Sequence, residues 1–148
     1  MRVSVVGASE CCSTIYNQAM ELGRLLATQG HIIFCGGRTG VMEAVAQGAA
    51  MCGGITFGIL PGRDIKEANK YITYPILTGL GEMRNFVVVL NGDVVVAVSG
   101  GYGTLSEIAL AKKIGKPVIG MGRWKDIEGV IPAKDPKEVI NIINEMNR

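Results

Sequence analysis

"VVVAVSGGYGTLSE", residues 94–107, runs five apolar residues into two glycines, an aromatic, a third glycine and the polar opening of a helix. A run such as Val94–Val98 has no polar alternation. A strand made of it must be covered on both faces, as in a parallel sheet with helices above and below. Glycines directly after the strand allow a tight turn and bring main-chain groups close to a ligand. In such sheets ligands collect outside the carboxyl ends of the strands. A helix starting there offers unpaired N–H groups and the positive end of its dipole to an anion. The stretch therefore predicts a strand, a turn at Gly100, Gly101 and Gly103, and a helix from Thr104 to Ile114 that stops at Gly115.

The rest of the chain repeats this alternation. Runs at Arg2–Gly7, His31–Cys35, Ile55–Leu60, Tyr74–Thr78, Asp93–Val98 and Pro117–Met121 read as strands. Thr14 to Gln29 places Ile15, Ala19, Leu22 and Leu26 on one helical stripe, with Ser13 available as a cap and Gly30 as the left-handed residue that ends it. Further helices are expected over Val41–Met51, over Glu82–Asn91, and from Asp135. The Asp-Pro-Lys-Glu opening of the last pairs a capping side chain with proline at the first helical position. The polar segment "PGRDIKEANKYITYP", residues 61–75, is expected to be a mobile loop, and a second loop from Gly122 to Pro132 holds the single tryptophan, Trp124. The predicted fold is α/β: a doubly wound, mostly parallel, Rossmann-like sheet with helices on both faces, in one nucleotide-binding domain over residues 1–148.

Composition narrows the function classes. A chain of 148 residues, 48% hydrophobic and 19% charged, can bury one sizeable core. A net charge of +2 is too small to argue for nucleic acid or a membrane surface. No apolar run approaches the roughly 20 residues of a membrane span. The opening Met1-Arg2-Val3 enters a strand without a signal-peptide pattern, so a cytoplasmic location is expected. Cys11, Cys12, Cys35 and Cys52 show no CxxC pairing and His31 is the sole histidine. A structural zinc site has little to work with in that set, no Ser-His-Asp or Cys-His relay can be assembled, and free, buried or half-buried thiols are expected. Gly7-Ala8-Ser9-Glu10 is not GxGxxG, and Gly115-Lys116-Pro117 lacks the P-loop spacing. Lys112, Lys113 and Lys116 read as a solvated helix end.

Two glycine turns are left. "GGRTG", residues 36–40, stands after a strand and before a helix just as "GGYGT" does, and its Arg38 adds a fixed cation. Glu107 admits two readings. Thr104-Leu105-Ser106-Glu107 has the spacing of a capping box, in which the carboxylate bonds back to the helix start. The same spacing sets Glu107 one turn from any phosphate held at that start. Arg84 is likewise either a solvated surface charge or a partner of that acid.

"SGGYGTLSE" resembles the PGGxGTxxE motif of the Lonely Guy (LOG) family of cytokinin-activating phosphoribohydrolases, once mislabelled lysine decarboxylases. A second match is Arg84 in "GLGEMRNFVVVLNGDVVVAVSGG", sixteen positions before Gly100. A third is "GGRTGVMEAVAQGA", similar to the family's glycine turn and helix start. With the opening "VSVVGAS" the likeness covers most of residues 2 to 121. It points to a short prokaryotic branch that also resembles molybdenum-cofactor carrier proteins.

The resemblance implies roles. Gly100, Gly101, Gly103 and Thr104 would hold the 5′-phosphate of an AMP-like nucleotide, with Gly7, Ser9, Gly36 and Gly37 as further nucleotide-binding positions. Glu107 would act at the ribose and stabilise positive charge as the N-glycosidic bond breaks, and Arg84 would be the other catalytic residue. The products would be the free base and ribose 5-phosphate, with no metal or organic cofactor. Family members are dimers, which makes the apolar "MRNFVVVL" stretch a candidate subunit contact. Three departures stand out: Ser99 replaces the motif's proline, expected to affect mainly turn rigidity; Gly81 and Glu82 replace a Met-His pair; and Asn85 replaces a lysine. A non-catalytic nucleotide or molybdenum-cofactor carrier is the alternative reading. A DNA-binding relative is a weaker one, disfavoured by the near-neutral charge.

Overall fold

The computed structural model describes residues 1–148. Its elements run β1 (Arg2–Gly7), α1 (Ser13–Thr28), β2 (Ile32–Cys35), α2 (Val41–Met51), β3 (Thr56–Leu60), β4 (Tyr74–Leu77), α3 (Arg84–Asn91), β5 (Val94–Val98), α4 (Tyr102–Lys113), β6 (Val118–Met121), β7 (Ile131–Ala133) and α5 (Pro136–Met146). All seven strands form one sheet, ordered β4-β3-β2-β1-β5-β6-β7, and every neighbouring pair is parallel. The chain leaves β1 in one direction through β2, β3 and β4, then returns by α3 to pair β5 against the other edge of β1. That reversal makes the β1/β5 boundary the switch point of the sheet, where a crevice opens beyond the carboxyl ends.

Helices α1, α2 and α5 cover one face and bury the larger core, built on Leu22, Leu26, Val45 and Ile143. Helices α3 and α4 cover the other, over Val88, Val89, Ile108 and Ala111. All five residues of β5 are buried, as an uninterrupted apolar run requires. The register sets Val3 against Val94 and Gly7 against Val98, so both strands end level at the crevice. Gly7 has a packing reason to be glycine there: a Cβ would strike the Val98 carbonyl oxygen and the Val41 side chain.

Several local expectations change. Helix α3 forms as expected despite its valine run, with Val88 and Val89 both fully buried, but it starts at Arg84, after a 3₁₀ turn over Gly81–Met83, and not at Glu82. A short seventh strand, β7, occupies the end of the expected Gly122–Pro132 loop, and a 3₁₀ turn at Gly122–Trp124 occupies its start. Ser13 does not cap α1; Cys12 holds the cap position without a side-chain bond. The segment expected as a mobile loop is bonded along its length. Asp64 and Glu67 form a reciprocal capping box around a 3₁₀ turn, and the Asn69 amide donates to the carbonyls of Gly37 and Arg38. Lys116 is not a solvated charge: its Nζ donates to the carbonyls of Leu90 and Gly92 at 3.1 and 2.6 Å, closing the C-terminus of α3. All four thiols are free, yet Cys12 and Cys52 are exposed and only Cys35 is fully buried.

Candidate functional site

The crevice at the switch point holds a cavity of about 400 Å³. The ends of β1 and β2, the turn after β5 and the starts of α3 and α4 bring to it Gly7, Ser9, Gly36, Gly101, Gly103, Thr104, Arg84 and Glu107, together with Arg38, Glu82 and Asn85. A smaller adjoining cavity of about 290 Å³ is lined by Ala8, Ser9, Glu10, Ser99, Gly100 and Gly101. Gly37 is the exception among the expected residues. With φ of +81° it turns toward β3, against Gly58 and Leu60, and its carbonyl is taken by Asn69.

The two glycine turns differ in what they leave free. Helix α2 spends its first amide on the chain: Val41 N–H donates to the Ala8 carbonyl at 2.9 Å, and the Thr39 hydroxyl donates to the Ser9 carbonyl at 2.8 Å. "GGRTG" therefore clamps the loop after β1, and the expectation that it presents its helix start to an anion is corrected to that extent. Helix α4 begins at Tyr102, two residues earlier than expected, with Gly101 at the cap position. The N–H groups of Gly100, Gly101, Tyr102, Gly103 and Thr104 donate to no acceptor in the chain, and Leu105 is the first to find one, at Gly101. The Ala8, Ser9 and Glu10 amides are likewise unused. Unspent donors at a helix start are what an anion can use.

This earlier start settles the capping question. Thr104 is inside the helix and buried, and no side chain caps α4. Glu107 is 8% exposed and lines the cavity instead of bonding back to the main chain. Burial raises its carboxyl to a pKa of about 8, with the Arg84 charge pulling it the other way. Arg84 opens α3; its guanidinium donates to the Gly36 carbonyl at 3.4 Å and to Asn85 Oδ1, while its buried Nε has no partner. Gly36 makes room for it, since a Cβ there would meet the Arg84 guanidinium. Burial pushes the arginine down from its ordinary value, with the charge of Glu107 opposing. No ion pair within 4.0 Å joins the two. They face one cavity with a gap between them.

The turn after β5 contains a feature the sequence reading missed. Ser99 has φ of +54° and Gly100 φ of +104°. A proline ring holds φ near −65°, so proline cannot occupy position 99 in this conformation. The serine thus marks a different backbone path, not merely a looser turn. The 3₁₀ turn at Gly122–Trp124 braces it: the Trp124 indole donates to the Ser99 carbonyl at 2.7 Å, and Arg123 donates to the Gly100 carbonyl at 2.9 Å. Nothing in the local sequence around Arg123 signals this, because the contact crosses 23 residues. No group of three or more His, Cys, Asp or Glu side chains forms a metal-ligating cluster, and no helix is long and apolar enough to cross a membrane.

Comparison with known proteins places these features among relatives. The model of the SLOG cluster4 family matches residues 1–147. An uncharacterised protein of Archaeoglobus fulgidus is 41% identical over 95% of this chain and 93% of its own. A cytokinin riboside 5′-monophosphate phosphoribohydrolase of Mycobacterium tuberculosis is 28% identical over 83% of this chain and 71% of its own. Among solved structures, the molybdenum cofactor binding protein of Rippkaea orientalis superposes with a TM-score of 0.91 at 36% identity, covering 99% of this chain and 96% of that one. The molybdenum cofactor carrier protein of Chlamydomonas reinhardtii gives 0.87 at 34%, covering 99% and 97%.

Proposed function

The chain belongs to the SLOG cluster4 family, and from that premise and the geometry of the crevice we propose that it binds a nucleoside 5′-monophosphate and hydrolyses its N-glycosidic bond. The observation that carries the reading is the run of five unspent amides from Gly100 to Thr104 beside a buried carboxyl and a half-buried guanidinium. The phosphate sits on those amides at the positive end of α4. Anchoring it fixes the ribose over Glu107. The C1′–N bond breaks with its electron pair leaving on the base, and the sugar passes through an oxocarbenium-like state. Ionised Glu107 stabilises that charge, water adds at C1′, and the proton it gives up ends on the departing base. Arg84 balances the phosphate and the acid. The site asks for no metal or organic cofactor.

The test is incubation with AMP and other 5′-monophosphates and assay for released base. Glu107→Ala and Arg84→Ala are each expected to lower turnover by about a hundredfold or more. The free carboxyl holds its proton below a pKa of about 8, so kcat/KM is expected to rise with pH through that value. A second reading, non-catalytic carriage of a nucleotide or molybdenum cofactor, is favoured by the likeness to cofactor-binding and carrier structures along nearly the full chain. A phosphorylated pterin would present its phosphate to the same amides. Tight binding of several monophosphates with no base released from any would select carriage. In either reading the protein works as a homodimer through the apolar surface at Met83, just before α3, and Leu90 on α3.

A further inference from the structure

The five unspent amides are useful only if they point into the crevice, and the structure shows what holds two of them. The peptide bonds in this chain are all trans, and a trans peptide sets its C=O and N–H in opposite directions. Trp124 holds the Ser99 carbonyl, so it also fixes the direction of the Gly100 N–H. Arg123 holds the Gly100 carbonyl, so it fixes the Gly101 N–H in the same way. Both peptides lie in a stretch with two successive positive φ values, where an unbraced backbone has easier conformations to fall back to. The guanidinium also lies over the Trp124 ring, 4.6 Å from its centroid, which ties the two braces together. Arg123 lines neither cavity.

We propose that Arg123 and Trp124 are positioning residues for anion binding: they aim the Gly100 and Gly101 amides from behind without touching the ligand. This rests on the reading that those amides receive a phosphate. It makes the turn after β6 part of the site, although its contribution passes entirely through the main chain.

The experiment compares wild type with Arg123→Ala, Arg123→Lys and Trp124→Phe. Affinity for AMP and for inorganic phosphate is measured by calorimetry, and the ¹⁵N–¹H shifts of Gly100 and Gly101 are recorded without ligand. Arg123 is exposed, so its removal is expected to leave the melting temperature nearly unchanged. Arg123→Ala is expected to move the Gly101 amide resonance in the free protein. It should also weaken AMP and phosphate by the same factor, about fivefold to tenfold. Trp124→Phe should move the Gly100 resonance, and Arg123→Lys should recover part of the loss, since one donor suffices. Unchanged resonances, or full affinity in Arg123→Ala, would overturn the proposal. Loss of affinity with unmoved resonances would mean that Arg123 contacts the anion directly, and would overturn it too. If wild type binds neither probe, the phosphate reading fails, while the ligand-free resonances still decide whether the brace orients the amides.

Discussion

At Glu107, burial holds the carboxyl at a pKa of about 8 against an ordinary value of 4.5. Between those values the folded chain keeps a proton that the unfolded chain has released, so stability falls as pH rises across that window. Melting temperatures of the wild type are therefore expected to decline from pH 5 to pH 8.5. Glu107→Gln should flatten the decline and exceed wild type at the alkaline end by on the order of 1–2 kcal/mol. Parallel pH profiles for the two proteins would show the carboxyl to be solvated. Ser99 offers a separate check, on the backbone alone. Ser99→Gly relieves a positive φ and is expected to be neutral or stabilising by about 1 kcal/mol, whereas Ser99→Pro should cost about 3 kcal/mol or more in urea titrations. Equal stability of the two variants would contradict the turn described here. The identity of Glu107 and its place after three glycines were legible in the sequence. Its burial was not, because that depends on where α4 starts and on what α3 lays beside it.

Helices α1 and α2 meet through backbone. A Cβ on Gly23 would strike the Val45 carbonyl, and one on Gly48 the Met20 carbonyl, so each helix approaches the other at a glycine. Gly48→Ala is expected to force the pair apart and cost about 2–4 kcal/mol by denaturant unfolding. The same change at Gly53, where an added Cβ meets nothing but φ is +67°, should cost only about 1–2 kcal/mol. A Gly48→Ala cost no larger than that would mean the helices are looser than drawn. Read along the chain, both glycines are simply weak points in helices, and their purpose appears only when the partner helix is present. The start of α4 has the same character. Thr104 and Glu107 have the spacing of a capping box, yet Gly101 takes the cap position and the threonine is buried. Tertiary packing outweighed a local bond worth about 1 kcal/mol.

The apolar surface of α3 and α4 frames a groove of about 840 Å³ beside the crevice, and the two share Glu82, Asn85 and Gly103. Met83 is 73% exposed and Tyr102 90%, unusual for side chains that large. Light scattering is expected to report a dimer. The pair of changes Met83→Glu and Leu90→Glu should give monomers of unchanged secondary structure. A wild type that is monomeric at tens of micromolar would remove the homodimer from the proposal.

The order of strands and helices follows from periodicity and glycine placement, because an uninterrupted apolar run such as Val94–Val98 can be satisfied only between two helical layers. The glycine turn, Arg84 and Glu107 could be picked out as a set for the same reason: short-range pattern marks residue types that ordinary packing does not need. The rest came from contacts between distant parts of the chain. The α2 turn is occupied by the loop after β1, burial raises the carboxyl of Glu107 against the pull of Arg84 from α3, and Arg123 reaches back to Gly100 from beyond β6. Long-range contacts of this kind leave no local trace. Their residues are 20 to 50 positions apart, and no spacing rule along one element connects them.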